Sequence, residues 1–482
     1  MAPALWGVLG LTVLGLALRG YRLGAWGLSG DEVFTLRDSV SRTSLVGPKP
    51  LLFLLNYYLI GSWTALDELG LRILPMIFGV AAIPTLYWGT TTLADRRAGL
   101  YAAALLTVNG WHIYWSQFAR YYTLVFLLTT VAVVALIRAV QVHRPRWTAI
   151  AVVSAAMAIL AHPSAALPIG GVGIWELGTY LRELRWGRRP TPWRAAFLAV
   201  VLAIFLFSVA WYLGPILLRW YRADHAWGHQ GPLLILSYAD GLSLSLLIFS
   251  IAGALLARTV LRPGVWMGLT SAVLVPLVFI MVVSYVVPVS NAYLYAVTPI
   301  LFIWSGVFFS RLDTAIPSTR VRAATVGACL AVVLLDGAPR LWSHYQTGTR
   351  PDIRGAAAYV ESHSHVSDWV LADQPYAFQH YLPSHDVRWL DRDPDALAAA
   401  LATGVGEEGR AAMWVLEIRQ QRGGFNERDL GPANAWVRAH CTMERFFGVP
   451  RLDYKRDDVI VYRCTQPELS YLDRTGTGKE TS

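Results

Sequence analysis

The stretch Leu28-Ser29-Gly30-Asp31-Glu32-Val33-Phe34-Thr35-Leu36-Arg37-Asp38-Ser39, running on to Gly47-Pro48-Lys49-Pro50-Leu51, directly follows the first apolar segment of the chain. It places two adjacent carboxylates, Asp31 and Glu32, ahead of a lysine held between prolines, Lys49. A carboxylate can take a proton from an attacking hydroxyl, and a lysine can stabilise a departing phosphate. The alternative is a solvated loop, with the acidic pair capping a short helix over Val33–Ser39 and Lys49 anchoring the chain at a membrane interface. The rest of the chain bears on that choice.

Of the 482 residues, 55% are hydrophobic and 15% charged, and the mean hydropathy is +0.42. Apolar runs of the ~20 residues that cross a bilayer recur down to about residue 338. They lie near 4–20, 51–64, 73–93, 98–113, 121–141, 148–161, 165–181, 195–213, 232–257, 265–287, 293–309 and 323–338. The run Ala4–Leu18 lacks a small-residue cleavage site and reads as a retained helix. The pattern predicts an α-helical polytopic membrane protein with about 11–13 transmembrane helices.

The net charge of +9 does not point to nucleic acid, because the arginines cluster in short connections between apolar runs. Those connections, at Asp95–Arg97, His143–Arg146, Arg182–Arg194, Arg258–Arg262 and Arg311–Arg322, follow the positive-inside rule and are expected in the cytoplasm. The connections at 111–120, 214–231 and 287–292, and everything after residue 338, then fall outside. Only three lysines occur, Lys49, Lys455 and Lys479, so the membrane portion contains one, in the suspect loop.

Two domains are expected: a transmembrane domain over 1–338, and a soluble extracytoplasmic α/β domain over 339–482 ending in a polar, disordered tail. In the second, Asp352 caps a helix around Gly355–Val360. Strands at 368–372, 388–390, 413–418 and 459–462 alternate with helices at 394–402 and 433–439. Cys441 and Cys464 could pair if this domain faces an oxidising compartment. Cys329 lies in an apolar run.

Other polar residues stand out against the apolar background. Arg120 opens a membrane segment within Trp111-His112-Ile113-Tyr114-Trp115-Ser116-Gln117-Phe118-Ala119-Arg120-Tyr121-Tyr122. A charge there faces a cavity or a partner, whereas the surrounding rings also suit an aromatic belt at the interface. His162 lies in a tight hairpin and Asp240 near the outer end of its segment, while Tyr293 opens another segment beside Asn291. With Tyr122 they are candidate site-lining residues. No metal-ligand spacing occurs and no cofactor is required by the sequence; a need for a divalent metal stays open.

The ordered series of motifs resembles the C-type (GT-C) membrane glycosyltransferases of the protein O-mannosyltransferase and aminoarabinose-transferase group. The matching features are Gly30-Asp31-Glu32, Pro48-Lys49-Pro50-Leu51-Leu52, Leu71-Arg72-Ile73-Leu74-Pro75, Ala94-Asp95-Arg96-Arg97-Ala98-Gly99, His112 to Tyr122, Ala296-Val297-Thr298-Pro299 and Arg354-Gly355-Ala356-Ala357. The resemblance covers most of the chain and is strongest from 28 to 140. It departs from the group at Pro50-Leu51, where a second proline is common, and at Asn291-Ala292-Tyr293, where a basic residue is common.

The resemblance implies transfer of a sugar from a polyprenyl-phosphate donor to a lipid, glycan or protein hydroxyl at the outer face of the cell membrane, with inversion. It implies Asp31 as the catalytic carboxylate with Glu32 its neighbour, and Lys49 on the donor phosphate. Arg120, judged on position, would share the phosphate. The competing readings are a lipid-linked glycan polymerase or ligase, a transporter or flippase of a polyprenyl-linked substrate, and a membrane-anchored assembly protein.

Overall fold

The computed structural model describes residues 2–41, 49–187, 192–210, 214–222, 230–390, 393–395, 412–422, 426–427, 432–448 and 455–465. Pro48, most of the helix expected over 394–402 and the C-terminal tail lie outside them. The chain forms two compact units, one of Met1–Tyr21 with Asp38–Ala338, the other of Arg22–Arg37 with Pro339–Ser482. The loop with the acidic pair thus belongs to the same unit as the C-terminal domain, which its place in the sequence did not foretell.

In the first unit the described residues of the apolar runs are mostly helical. Among the described residues five helices are long and apolar enough to cross a membrane: Gly70–Leu93, Tyr122–Val142, Pro263–Val286, Asn291–Ala315 and Thr319–Thr347. A sixth span arises if Pro232–Leu242 and Leu244–Val260, bent by 101°, count as one. Shorter apolar helices, such as Ala4–Gly20, Pro50–Ile60 and Pro145–Ala161, accompany them. The stretch 214–231, read as a connection, carries a helix over Gly214–Arg222.

Small residues let these helices pack closely, as apolar helices in lipid require. A Cβ on Gly253 would lie 1.9 Å from the Trp304 carbonyl oxygen, and one on Gly306 2.3 Å from that of Ala98. Polar ties complete the packing. Ser250 and Ser305 share a 2.8 Å hydrogen bond, and Thr123 donates to the Pro75 carbonyl at 2.9 Å. At the 101° bend Ser243 has φ +98°, and the freed groups find the Asp336 carboxylate. It accepts from Ser243 Oγ at 2.5 Å, Ser245 N at 3.0 Å and Ser245 Oγ at 2.8 Å.

The second unit holds a mixed sheet of strands β1 (Trp369–Ala372), β2 (Asp386–Trp389), β3 (Ala412–Arg422), β4 (Asn426–Glu427), β5 (Thr442–Phe447) and β6 (Lys455–Thr465). Their order is β2-β1-β3-β6-β5, with β4 paired to β3. β1 runs parallel to β2 and β3, whereas β6 is antiparallel to β3 and β5. The helix predicted near 355 spans Ile353–His363, and Asp352 caps it by accepting from Gly355 N at 2.9 Å. Cys441 and Cys464 are disulfide-bonded. Helix Pro375–Tyr381 and strand β5 were not foreseen.

Candidate active site

The first unit gathers a cationic, aromatic cluster. Lys49 directly precedes helix Pro50–Leu55 and donates from Nζ to the Tyr121 hydroxyl at 3.0 Å. Arg120 reaches the same hydroxyl at 3.4 Å, and both cations lie 5.0 Å from the Tyr121 ring centroid. His162 stacks between Tyr121 and Tyr293, with ring centroids 4.6 and 5.2 Å away. Tyr122 packs on Trp115 at 4.0 Å and has its ring 6.2 Å from that of His162.

The state of His162 follows from its neighbours. Its Nδ1 accepts from Ser164 N at 3.2 Å, so in the neutral ring the proton resides on Nε2. Burial, and then the charges of Lys49 and Arg120, hold this imidazole well below the usual histidine range. It is a neutral ring between two tyrosines, not a third cation.

Lys49, His162, Ser164 and Tyr293 of this cluster also line a groove whose other lining residues include the apolar Leu167, Leu217, Phe279, Ile280, Val283 and Val289. The arrangement suits a ligand with an anionic head and an apolar tail.

The segment that carries Arg120 and Tyr121 is fixed from below. Gln117 donates to the carbonyls of Arg19 (2.8 Å) and Tyr21 (2.7 Å). Arg19, fully buried, donates to the carbonyls of Leu106 and Thr107, each at 3.0 Å. Its guanidinium also lies 3.0 Å from His112 Nδ1, which must accept because arginine only donates.

The second unit holds the acidic pair, and it separates the two carboxylates. Helix Gly30–Val40 begins at them; Asp31 is exposed and Glu32 fully buried. Glu32 Oε2 accepts from Ser29 N at 3.0 Å, the reciprocal half of a capping box. The same oxygen pairs with the Arg350 guanidinium at 2.7 Å. The capping alternative therefore describes Glu32, and Asp31 is exposed.

Lys49, Arg120, Tyr122, His162 and Tyr293 are thus brought together, and Asp31 and Glu32 lie in the other unit. Asp240 is half-buried on Pro232–Leu242 and does not line the groove. Sequence reasoning missed Tyr121, which sits between two residues it did single out, and Arg350, far along the chain. Among the described residues no group of three or more His, Cys, Asp or Glu side chains could hold a metal ion.

No protein-family model and no curated protein matches this sequence. Solved structures do resemble the fold. ArnT from Cupriavidus metallidurans bound to undecaprenyl phosphate superposes with a TM-score of 0.57 at 13% identity, over 96% of this chain and 98% of that one. The apo oligosaccharyltransferase of Archaeoglobus fulgidus gives 0.59 at 11% identity, over 97% of this chain and 77% of that one. The archaeal oligosaccharyltransferase AglB from Archaeoglobus fulgidus, in complex with an inhibitory peptide and a dolichol-phosphate, gives 0.56 at 12% identity, over 86% and 69%. The chain has the GT-C fold of membrane glycosyltransferases.

Proposed function

We propose that this protein transfers a sugar from a polyprenyl-phosphate carrier to an acceptor hydroxyl at the outer face of the membrane, inverting the anomeric centre. The observation that carries the reading is the pair of cations, Lys49 and Arg120, converging on one tyrosine hydroxyl, with Lys49 also lining an apolar groove. Like charges drawn together at such a place favour an anion between them. The groove that Lys49 lines accommodates a prenyl chain. Structures with a similar fold are complexed with undecaprenyl phosphate and dolichol-phosphate.

In this reading the acceptor oxygen attacks the anomeric carbon, the bond from that carbon to the phosphate oxygen breaks, and the electron pair leaves with the polyprenyl phosphate. Lys49 and Arg120 stabilise the charge that grows on the leaving oxygen. Asp31, exposed at the start of its helix, accepts the acceptor proton. Glu32, buried against Arg350, has no part in the proton transfer. The disulfide Cys441–Cys464 supports placing residues 339–482 in an oxidising, extracytoplasmic compartment.

The test is binding of undecaprenyl phosphate to the purified protein. A charge-assisted hydrogen bond contributes ~1.5–3 kcal/mol, so Lys49→Ala should weaken binding roughly 10-fold to 150-fold. Lys49→Arg should recover part of the loss, since the charge returns with a different geometry. Equal affinity in Lys49→Ala and the native protein would remove the phosphate from this place.

A further inference from the structure

We propose that Arg350 is a positioning residue for Asp31, holding Glu32 from beneath so that the neighbouring carboxylate is turned out toward the acceptor. The inference rests on the reading of Asp31 as the base. It starts from an ion pair that joins the acidic stretch to the C-terminal region of the same unit across 318 residues of sequence.

Both partners are out of water, with side-chain exposures of 2% for Arg350 and 0% for Glu32. A buried carboxylate needs its lone pairs filled, and Glu32 Oε2 takes two donors, Arg350 at 2.7 Å and Ser29 N at 3.0 Å. One oxygen therefore fixes both the first turn of helix Gly30–Val40 and its link to Arg350. Successive side chains on a helix diverge by about 100°. Seating Glu32 inward sets the rotation of the helix about its axis, and Asp31 emerges on another side.

Arg350 is itself held. Its Nε donates to the Gly348 carbonyl at 3.0 Å, and its guanidinium lies 5.8 Å from the Trp26 ring centroid. It follows two successive left-handed residues, Gly348 at φ +69° and Thr349 at φ +53°. The left-handed region is a genuine outlier for a β-branched residue such as threonine. Thr349 N bonds Thr347 Oγ1 at 3.1 Å, which closes the turn locally. An unfavourable backbone retained immediately before the arginine that meets Glu32 fits a turn shaped to aim that side chain.

The same unit grips the approach to Asp31 elsewhere. Leu28 N donates to the Tyr381 hydroxyl at 2.6 Å, and Arg354 donates to the Ala25 carbonyl at 2.6 Å. A Cβ on Gly30 would lie 2.6 Å from Gln374 Oε1, so the residue before Asp31 admits no side chain without displacing that glutamine. The Arg350 pair differs from these contacts in acting on the carboxylate next to Asp31.

The test uses the full chain, returned to a strain that lacks it. Two quantities are read: the accumulated pool of polyprenyl-phosphate-linked sugar, by mass spectrometry, and the affinity of the purified protein for undecaprenyl phosphate. Misplacing a catalytic group by about 1 Å costs roughly 100-fold. Arg350→Met should therefore lower turnover by about that order while undecaprenyl phosphate affinity stays within about twofold, and Arg350→Lys should restore part of the rate. If Arg350→Met does not accumulate, Arg350→Lys decides: reduced turnover at native affinity supports the proposal. Native turnover in either arginine variant, with Asp31→Asn inactive, overturns it. Parallel loss of turnover and affinity also overturns it, because the arginine is then a general prop. If Asp31→Asn itself retains native turnover, the base assignment fails and takes this inference with it.

Discussion

Tyr121 is the residue on which the cationic cluster turns. Its hydroxyl accepts from Lys49 and faces Arg120, so it can direct its own proton toward an anion bound between them. Tyr121→Phe keeps the stack on His162 and loses only that hydroxyl. It should weaken undecaprenyl phosphate binding by less than Lys49→Ala, about 3-fold to 10-fold for one neutral hydrogen bond. His162 gives a second prediction at this scale. Burial and then Lys49 and Arg120 lower its pKa. The ring is neutral when folded and takes up a proton on unfolding below pH ~6.5. The unfolded chain then binds more protons, so stability is undiminished above that pH and falls as the pH drops beneath it. The slope is up to ~1.4 kcal/mol per pH unit per histidine. Thermal melts from pH 7.5 to 5.0 should show the loss, and His162→Gln should flatten it; identical slopes in the two proteins would contradict the assignment.

At the scale of elements, the apolar runs of the sequence were legible because each must satisfy its backbone internally in lipid, which leaves helix as the solution. The break at Ser243 was hidden, since nothing in Gly241-Leu242-Ser243-Leu244 marks a 101° bend without the carboxylate that receives it. Asp336 takes three hydrogen bonds from that break. Asp336→Ala strands those donors, and a buried unsatisfied group costs ~1–3 kcal/mol. A fall in melting temperature is expected, larger than for Asp336→Asn, which can still accept; equal melting temperatures would argue that water substitutes for the carboxylate. In the soluble unit the helix at Ile353–His363 was readable from its cap, Asp352. Strand β5 was not, because its residues alternate poorly and all but the last are exposed.

For the molecule as a whole, the acidic pair marks how far a sequence reading reaches. Gly30-Asp31-Glu32 was visible as a place for chemistry, but the two carboxylates could not be told apart locally. What distinguishes them is Arg350, and the folded chain alone brings it to Glu32. The cationic half was more legible, since Lys49 and Arg120 each stand out as charge beside apolar runs; Tyr121 was lost among rings that suit any membrane interface. The proposed topology is checked by reporter fusions along the loops. Residue 345 and the connection at 111–120 should report outside, and Arg96 and Arg146 inside. A cytoplasmic signal from residue 345 would contradict the outer-face reaction.

The most direct measurement of the central claim is sugar transfer by Asp31→Asn beside Glu32→Gln, in membranes of a strain that lacks the native protein, with protein level and undecaprenyl phosphate binding followed in parallel. Asn keeps the shape of aspartate but cannot take the proton, and loss of a general base costs ~100-fold to 10,000-fold. The account predicts that Asp31→Asn binds undecaprenyl phosphate normally, accumulates the polyprenyl-phosphate sugar and loses transfer by that order, while Glu32→Gln loses less. Transfer by Asp31→Asn at the native rate would contradict it.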